Sequence, residues 1–187
     1  MTSSYLEDQL VFYRSYHSNA TNVAIHVVCI PIILLSTITF FSPIQVFSPT
    51  INLGTLLAWG YGLYYILLDW QVGVPSFAIL VTYSSYITQF YLTLNLLTTP
   101  TSKQFINYAI FAHVVAWLAQ FVGHSDLFEG RKPALLNSTL SALTTAPLFS
   151  AFEVCWFLGF KKDLKKTMDN RAGKNIRDFR QKQMKTA

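Results

Sequence analysis

Four histidines carry the chemistry this sequence can offer: His17, His26, His113 and His124. Neutral imidazole is a favoured ligand for transition metals. Histidines at membrane depth are rare and tend to mark function. His17 and His26 bracket Asn19 and Asn22 just before and at the start of a long apolar run. His113 and His124 lie in and just after another. The chain holds no H-E-x-x-H, no facial-triad spacing and no H-x-x-H-H box.

Helix geometry limits what these rings can share. His113 and His124 lie on one helix face, since eleven residues at 100° each fall about 20° from three full turns. On a straight helix they would stand roughly 16 Å apart, too far for one ion about 2 Å from each nitrogen. Either the helix ends before Gly123 and folds back, or the two serve different roles. His17 and His26 point to opposite sides of a continuous helix, so they converge only if the Asn19–Asn22 segment turns. Its composition favours a turn. A shared metal or catalytic site is one reading of the set; four separately satisfied or interfacial side chains are the other.

The elements that would position these rings are apolar helices. Of 187 residues, 52% are hydrophobic, 16% aromatic and 12% charged, against about 25% charged in an ordinary soluble domain. That excludes a disordered chain and argues against a small soluble enzyme. Residues 4–17 read as a short amphipathic helix, with Asn22 as N-cap of the next element. Apolar runs follow over 23–41, 53–68, 76–97, 105–122 and 139–160. Pro31 is expected to kink the first and Pro147 to break the fifth. The expected fold class is all-α: a polytopic membrane bundle of four to five apolar helices, residues 1–160, followed by a basic tail, 161–187. Cys29 and Cys155 sit inside apolar runs and read as buried free thiols. Nothing at the N-terminus resembles a cleaved signal peptide.

Charge orients the chain. Residues 1–160 hold four Lys/Arg against six acids, and residues 161–187 hold ten against three. Such a tail after an apolar body suits the cytosolic side of a membrane. Nucleic acid is disfavoured as a partner, because the tail has one aromatic, Phe179, and no recognition motif. Four crossings return the chain to its starting side, so the segment before the first run and the loop after the fourth share a face. Arg131 and Lys132 fall on that face, which favours a cytosolic side and a broken or re-entrant fifth run.

Two stretches carry a resemblance. The first is FYRSYHSN (12–19) with NVAIH (22–26) and Pro31; the second is AWLAQFVGH (116–124) with EGRKPALL (129–136). In order and length the chain resembles the family of 2-hydroxy fatty acid dioxygenases, small endoplasmic-reticulum membrane proteins known from yeast phytosphingosine breakdown. That resemblance implies an Fe(II)-dependent α-oxidation. A long-chain 2-hydroxy fatty acid would react with O2, lose its carboxyl carbon as CO2 and leave an acid one carbon shorter. It also implies that His17, His26, His113 and His124 ligate the iron, His113 preceding the second motif rather than lying within it. The spacing from His124 to Glu129 is one residue longer than the family pattern.

Iron held by imidazoles with open positions suits O2 and a chelating 2-hydroxy carboxylate. Arg131 or Lys132 would pair with that carboxylate, or else anchor the membrane interface. Asn22, Glu129 and Glu153 are expected in supporting roles around the ligands, Glu153 as proton relay, ion-pair partner or helix cap. Tyr13 and Tyr16 read as an interfacial aromatic belt. Two competing functions are a non-enzymatic membrane lipid carrier or scaffold, whose tail binds anionic lipid, and a bis-histidine b-haem electron carrier.

Overall fold

The computed structural model describes residues 4–94, 100–125, 128 and 139–186. Every regular element among them is helical: α1 (Ser4–Tyr16), α2 (Ala20–Phe41), α3 (Leu53–Leu68), α4 (Trp70–Thr93), α5 (Pro100–Gly123), α6 (Thr139–Phe157) and α7 (Lys162–Thr186). The chain forms two compact units, Met1–Val28 with Gln120–Ala187, and Cys29–Ala119. Both α2 and α5 contribute residues to each.

Local chemistry sets the helix starts. Asn19, not Asn22, caps α2: its Oδ1 accepts from the Thr21 and Asn22 N–H groups at 2.8 and 3.2 Å. Asn22 falls instead in the first turn of α2, fully buried. In the second unit Asn52 caps α3 by accepting from Thr55 N–H at 2.9 Å. Asp69 ends α3 and begins α4, its Oδ1 accepting from Gln71 and Val72 N–H. The segment between the second and third apolar runs is therefore helical from Trp70 onward. Pro75 stands in the second turn of α4, where it removes one i→i−4 hydrogen bond, and the helix continues through it.

Among the described residues, two helices are long and apolar enough to cross a membrane, Ala20–Phe41 and Lys103–Gly123. A third counts if the bent pair Leu143–Phe157 and Lys162–Lys182 is one span. The count of four to five is not reached on length and composition. The α3 helix is apolar but only 16 residues long, short of the roughly 20 that a bilayer core needs. The α4 helix is diluted by Ser, Thr, Gln and Tyr. Large exposed apolar side chains along α5, such as Phe111, Val114 and Leu118, suit lipid rather than water, and the apolar helices indicate membrane association.

Neither proline expected to kink or break a run interrupts its helix: α2 continues through Pro31 and α6 through Pro147. The interruption of the fifth run comes later, between Phe157 and Lys162. There Gly159 takes φ +90° and Lys161 φ +52°, and the next helix leaves at 118°. Gly159 supplies a left-handed conformation at no steric cost.

The basic helix α7 packs along α1. Leu6 and Leu10 of α1, Leu148 and Phe152 of α6, and Met168 and Ala172 of α7 are all within 1% of full burial. Each large apolar side chain buried this way contributes about 1.5–3 kcal/mol. The exposed ion pairs on the same surface, Arg171 with Asp8 (2.6 Å) and Glu7 (3.8 Å), contribute about 0–1 kcal/mol. Apolar burial therefore holds α7 in place, and the charges fix its register.

Candidate metal centre

Three of the four histidines meet in the first unit. His17, His26 and His124 are 4%, 3% and 8% exposed, and each offers a ring nitrogen lying within 4.8 Å of the other two. Ring centroids stand 4.4 Å (His17–His26), 4.9 Å (His17–His124) and 5.0 Å (His26–His124) apart, all edge-on.

Two local devices make this convergence. The first is the break between α1 and α2. With α1 ending at Tyr16 and Asn19 starting α2, His17 sits at a corner and is freed from the helical phase that would oppose it to His26. The second is Gly123, the last residue of α5. A Cβ there would collide with Oδ1 of Asn22. Glycine lets the end of α5 close against the first turn of α2, and His124 is the next residue.

The hydrogen bonds set the tautomers. Nδ1 of His17 lies 2.8 Å from the Tyr13 carbonyl, and Nδ1 of His26 lies 2.9 Å from the Asn22 carbonyl. A carbonyl only accepts, so each Nδ1 carries the proton and donates, leaving the lone pair on Nε2. This outer-shell pattern is the one that orients metal-ligating histidines. Nε2 of His17 is buried and has no hydrogen-bond partner. A buried lone pair left so costs free energy unless something claims it. Burial first, and then the neighbouring His26 ring, hold the His17 imidazole well below its ordinary pKa, with the Tyr13 carbonyl opposing. The ring is neutral at pH 7, the state a metal requires. Buried, neutral, oriented nitrogens in a three-imidazole set fit a transition-metal ion.

His113 is in the second unit, and both its nitrogens are engaged. Trp117 Nε1, a donor only, gives its hydrogen to His113 Nε2 at 3.0 Å. Nδ1 therefore carries the proton and donates to Ser36 Oγ at 3.0 Å, whose own hydroxyl donates to the Ile33 carbonyl. Of the two alternatives left by the His113–His124 spacing, the structure shows separate surroundings.

The supporting residues fall unevenly. Asn22 holds His26 through its carbonyl and faces Gly123. Glu153, 12% exposed, stands 3.7 Å from Arg14. Glu129, Arg131 and Lys132 lie outside the described residues. Tyr13 and Tyr16 are buried at 5% and 9%, so they form no interfacial belt. Tyr13 instead stacks on His17 at 4.0 Å and 18°. Its position four residues before His17 was the available signal, because a histidine at a helix end reaches back to the carbonyl at i−4.

Helices with apolar spans and a buried three-imidazole cluster able to hold a metal ion, among the described residues, define a membrane-associated protein of the all-α class. Comparison with known proteins narrows this. Residues 3–157 match the family described as 2-hydroxy-palmitic acid dioxygenase Mpo1-like, and the chain belongs to that family. It is 32% identical over 165 residues to the 2-hydroxy-palmitic acid dioxygenase MPO1 of Saccharomyces cerevisiae, covering 88% of each protein. No solved structure matches the chain.

Proposed function

We propose that this protein is an Fe(II)-dependent dioxygenase of long-chain 2-hydroxy fatty acids, with His17, His26 and His124 as the iron ligands. The observation that carries the proposal is the partnerless buried Nε2 of His17 beside two further imidazoles, in a chain whose family is named for 2-hydroxy-palmitic acid oxidation. The overall reaction converts R–CH(OH)–COOH and O2 into R–COOH, CO2 and H2O. Iron, when bound, supplies O2 activation and a chelation point for the hydroxyl and carboxylate. The chain's own groups do the rest. The Tyr13 and Asn22 carbonyls hold two rings in the ligating tautomer, and the stacked Tyr13 ring helps bury His17. Arg131 and Lys132 follow closely enough on His124 in sequence to meet a substrate carboxylate. The acyl chain would lie among apolar helices. We place the protein in the endoplasmic-reticulum membrane, in sphingolipid breakdown, with the basic C-terminal region on the cytosolic side and four to five membrane passages including the shorter apolar helices. His113, with both nitrogens in use, takes a structural role.

The test is metal analysis of the purified protein, joined to O2-dependent turnover of 2-hydroxypalmitate with and without added Fe(II). Bound iron and release of the acid one carbon shorter are expected. A folded, iron-supplied protein that consumes no O2 with this substrate ends the proposal.

A further inference from the structure

We propose that Arg14, clamped by Asp169 of α7, is the positioning residue for His17; this rests on the metal-site reading above. Arg14 lies in the last turn of α1 and bonds in three directions. Its Nε donates to Asp169 Oδ1 at 2.9 Å, its Nη1 donates to the His17 carbonyl at 3.2 Å, and Nη1 stands 3.7 Å from Glu153 Oε1. The Arg14 carbonyl in turn accepts the His17 N–H at 3.2 Å. With the ring nitrogen on Tyr13, the N–H, C=O and imidazole of His17 are all tied to residues 13 and 14.

The His17 carbonyl lies just past the end of α1, where carbonyls lack intrahelical partners. The guanidinium supplies one. A planar fork holds Asp169 and that carbonyl in one fixed geometry, which a lysine ammonium on a flexible stem does not impose. Asp169 is itself held: Lys165 Nζ bonds its second oxygen at 2.7 Å, and the nearby Met168 and Ala172 are buried. Arg14 and Asp169 are 22% and 36% exposed. An ion pair so exposed adds little to stability, so its consequence is geometric. The family match stops at residue 157, twelve residues before the carboxylate that completes this arrangement.

The experiment titrates the full-length protein in detergent micelles with Co(II), read by visible absorption. Arg14→Lys keeps the charge but loses the fork, Asp169→Asn breaks the pair from α7, and Asp169→Glu keeps the carboxylate. Arg171→Ala removes the other α1–α7 ion pairs as a control. Arg14→Lys and Asp169→Asn are expected to weaken Co(II) binding about tenfold or more, the scale for losing an outer-shell partner. Asp169→Glu and Arg171→Ala should stay within about twofold, as for exposed charges. Hydrogen–deuterium exchange of the 12–19 segment without metal should quicken in the first two variants only. Wild-type affinity and unchanged exchange in Arg14→Lys and Asp169→Asn would overturn the clamp alone. A wild-type protein that binds no Co(II) would overturn the metal reading, and this role with it.

Discussion

Histidine is used in two different ways in the two units. His17 and His26 spend one nitrogen on a backbone carbonyl four residues earlier, and the His17 Nε2 is left with no partner at all. His113 spends both, on Ser36 and Trp117. His113 is half-buried while His17 and His26 are buried, and the assignment of each nitrogen separates them further. A ring with both nitrogens satisfied cross-links helices, and a ring with one buried lone pair is ready for a cation.

The largest effect that would break this comparison comes from removing one ring from each set. His17→Ala or His26→Ala is expected to reduce Co(II) or Fe(II) affinity by more than about 100-fold, at or beyond the upper end of what losing an outer-shell partner costs. His113→Asn should leave metal affinity close to wild type. Metal titration of the three variants decides it, and equal losses would erase the distinction. The converse holds for stability. His113→Leu removes the acceptor of the Trp117 N–H and the donor to Ser36 Oγ, and is expected to cost about 1–2 kcal/mol between helices, read as a lower melting temperature with metal still bound.

Gly123→Ala tests the device that brings His124 in. Its methyl would meet Oδ1 of Asn22, and the repacking is expected to cost about 1–3 kcal/mol while weakening metal binding. Melting curves and cobalt titration of the same sample check both halves.

The smallest effect is a pH slope. The His17 pKa in the folded protein lies below the ordinary 6.5. Below pH 6.5 the unfolded chain therefore takes up a proton that the folded metal-free protein refuses. Stability should be full above about pH 6.5 and fall as the medium is acidified. His17→Gln should flatten this His17-linked part of the slope in melts between pH 5 and 7.5.

Much of the first unit was legible in the sequence, and for identifiable reasons. Pairing His17 with His26 required a turn near Asn19, and asparagine signals one. The exact cap did not follow, because Asn19 and Asn22 offer the same side chain and only the backbone path chooses between them. The break of the fifth run was sought at Pro147, yet α6 passes through it. A proline removes one hydrogen bond, whereas the bend at Gly159 and Lys161 needs left-handed backbone at two positions. Residues 161–187 read as a tail because charge dominates their composition. Their buried face, Met168 and Ala172, is narrow, and its partner lies on α1, far away in sequence. Arg14 was passed over for the same reason: nothing local marks the residue that Asp169 will meet.

That separation has a consequence for biogenesis. Arg14 and Asp169 are 155 positions apart, so the helix bearing Arg14 emerges from the ribosome long before its partner is made. Contacts this distant in sequence form late. The corner that presents His17 is therefore completed only once α7 has been made, and a nascent chain stalled before α7 would hold its imidazoles without the brace that sets them.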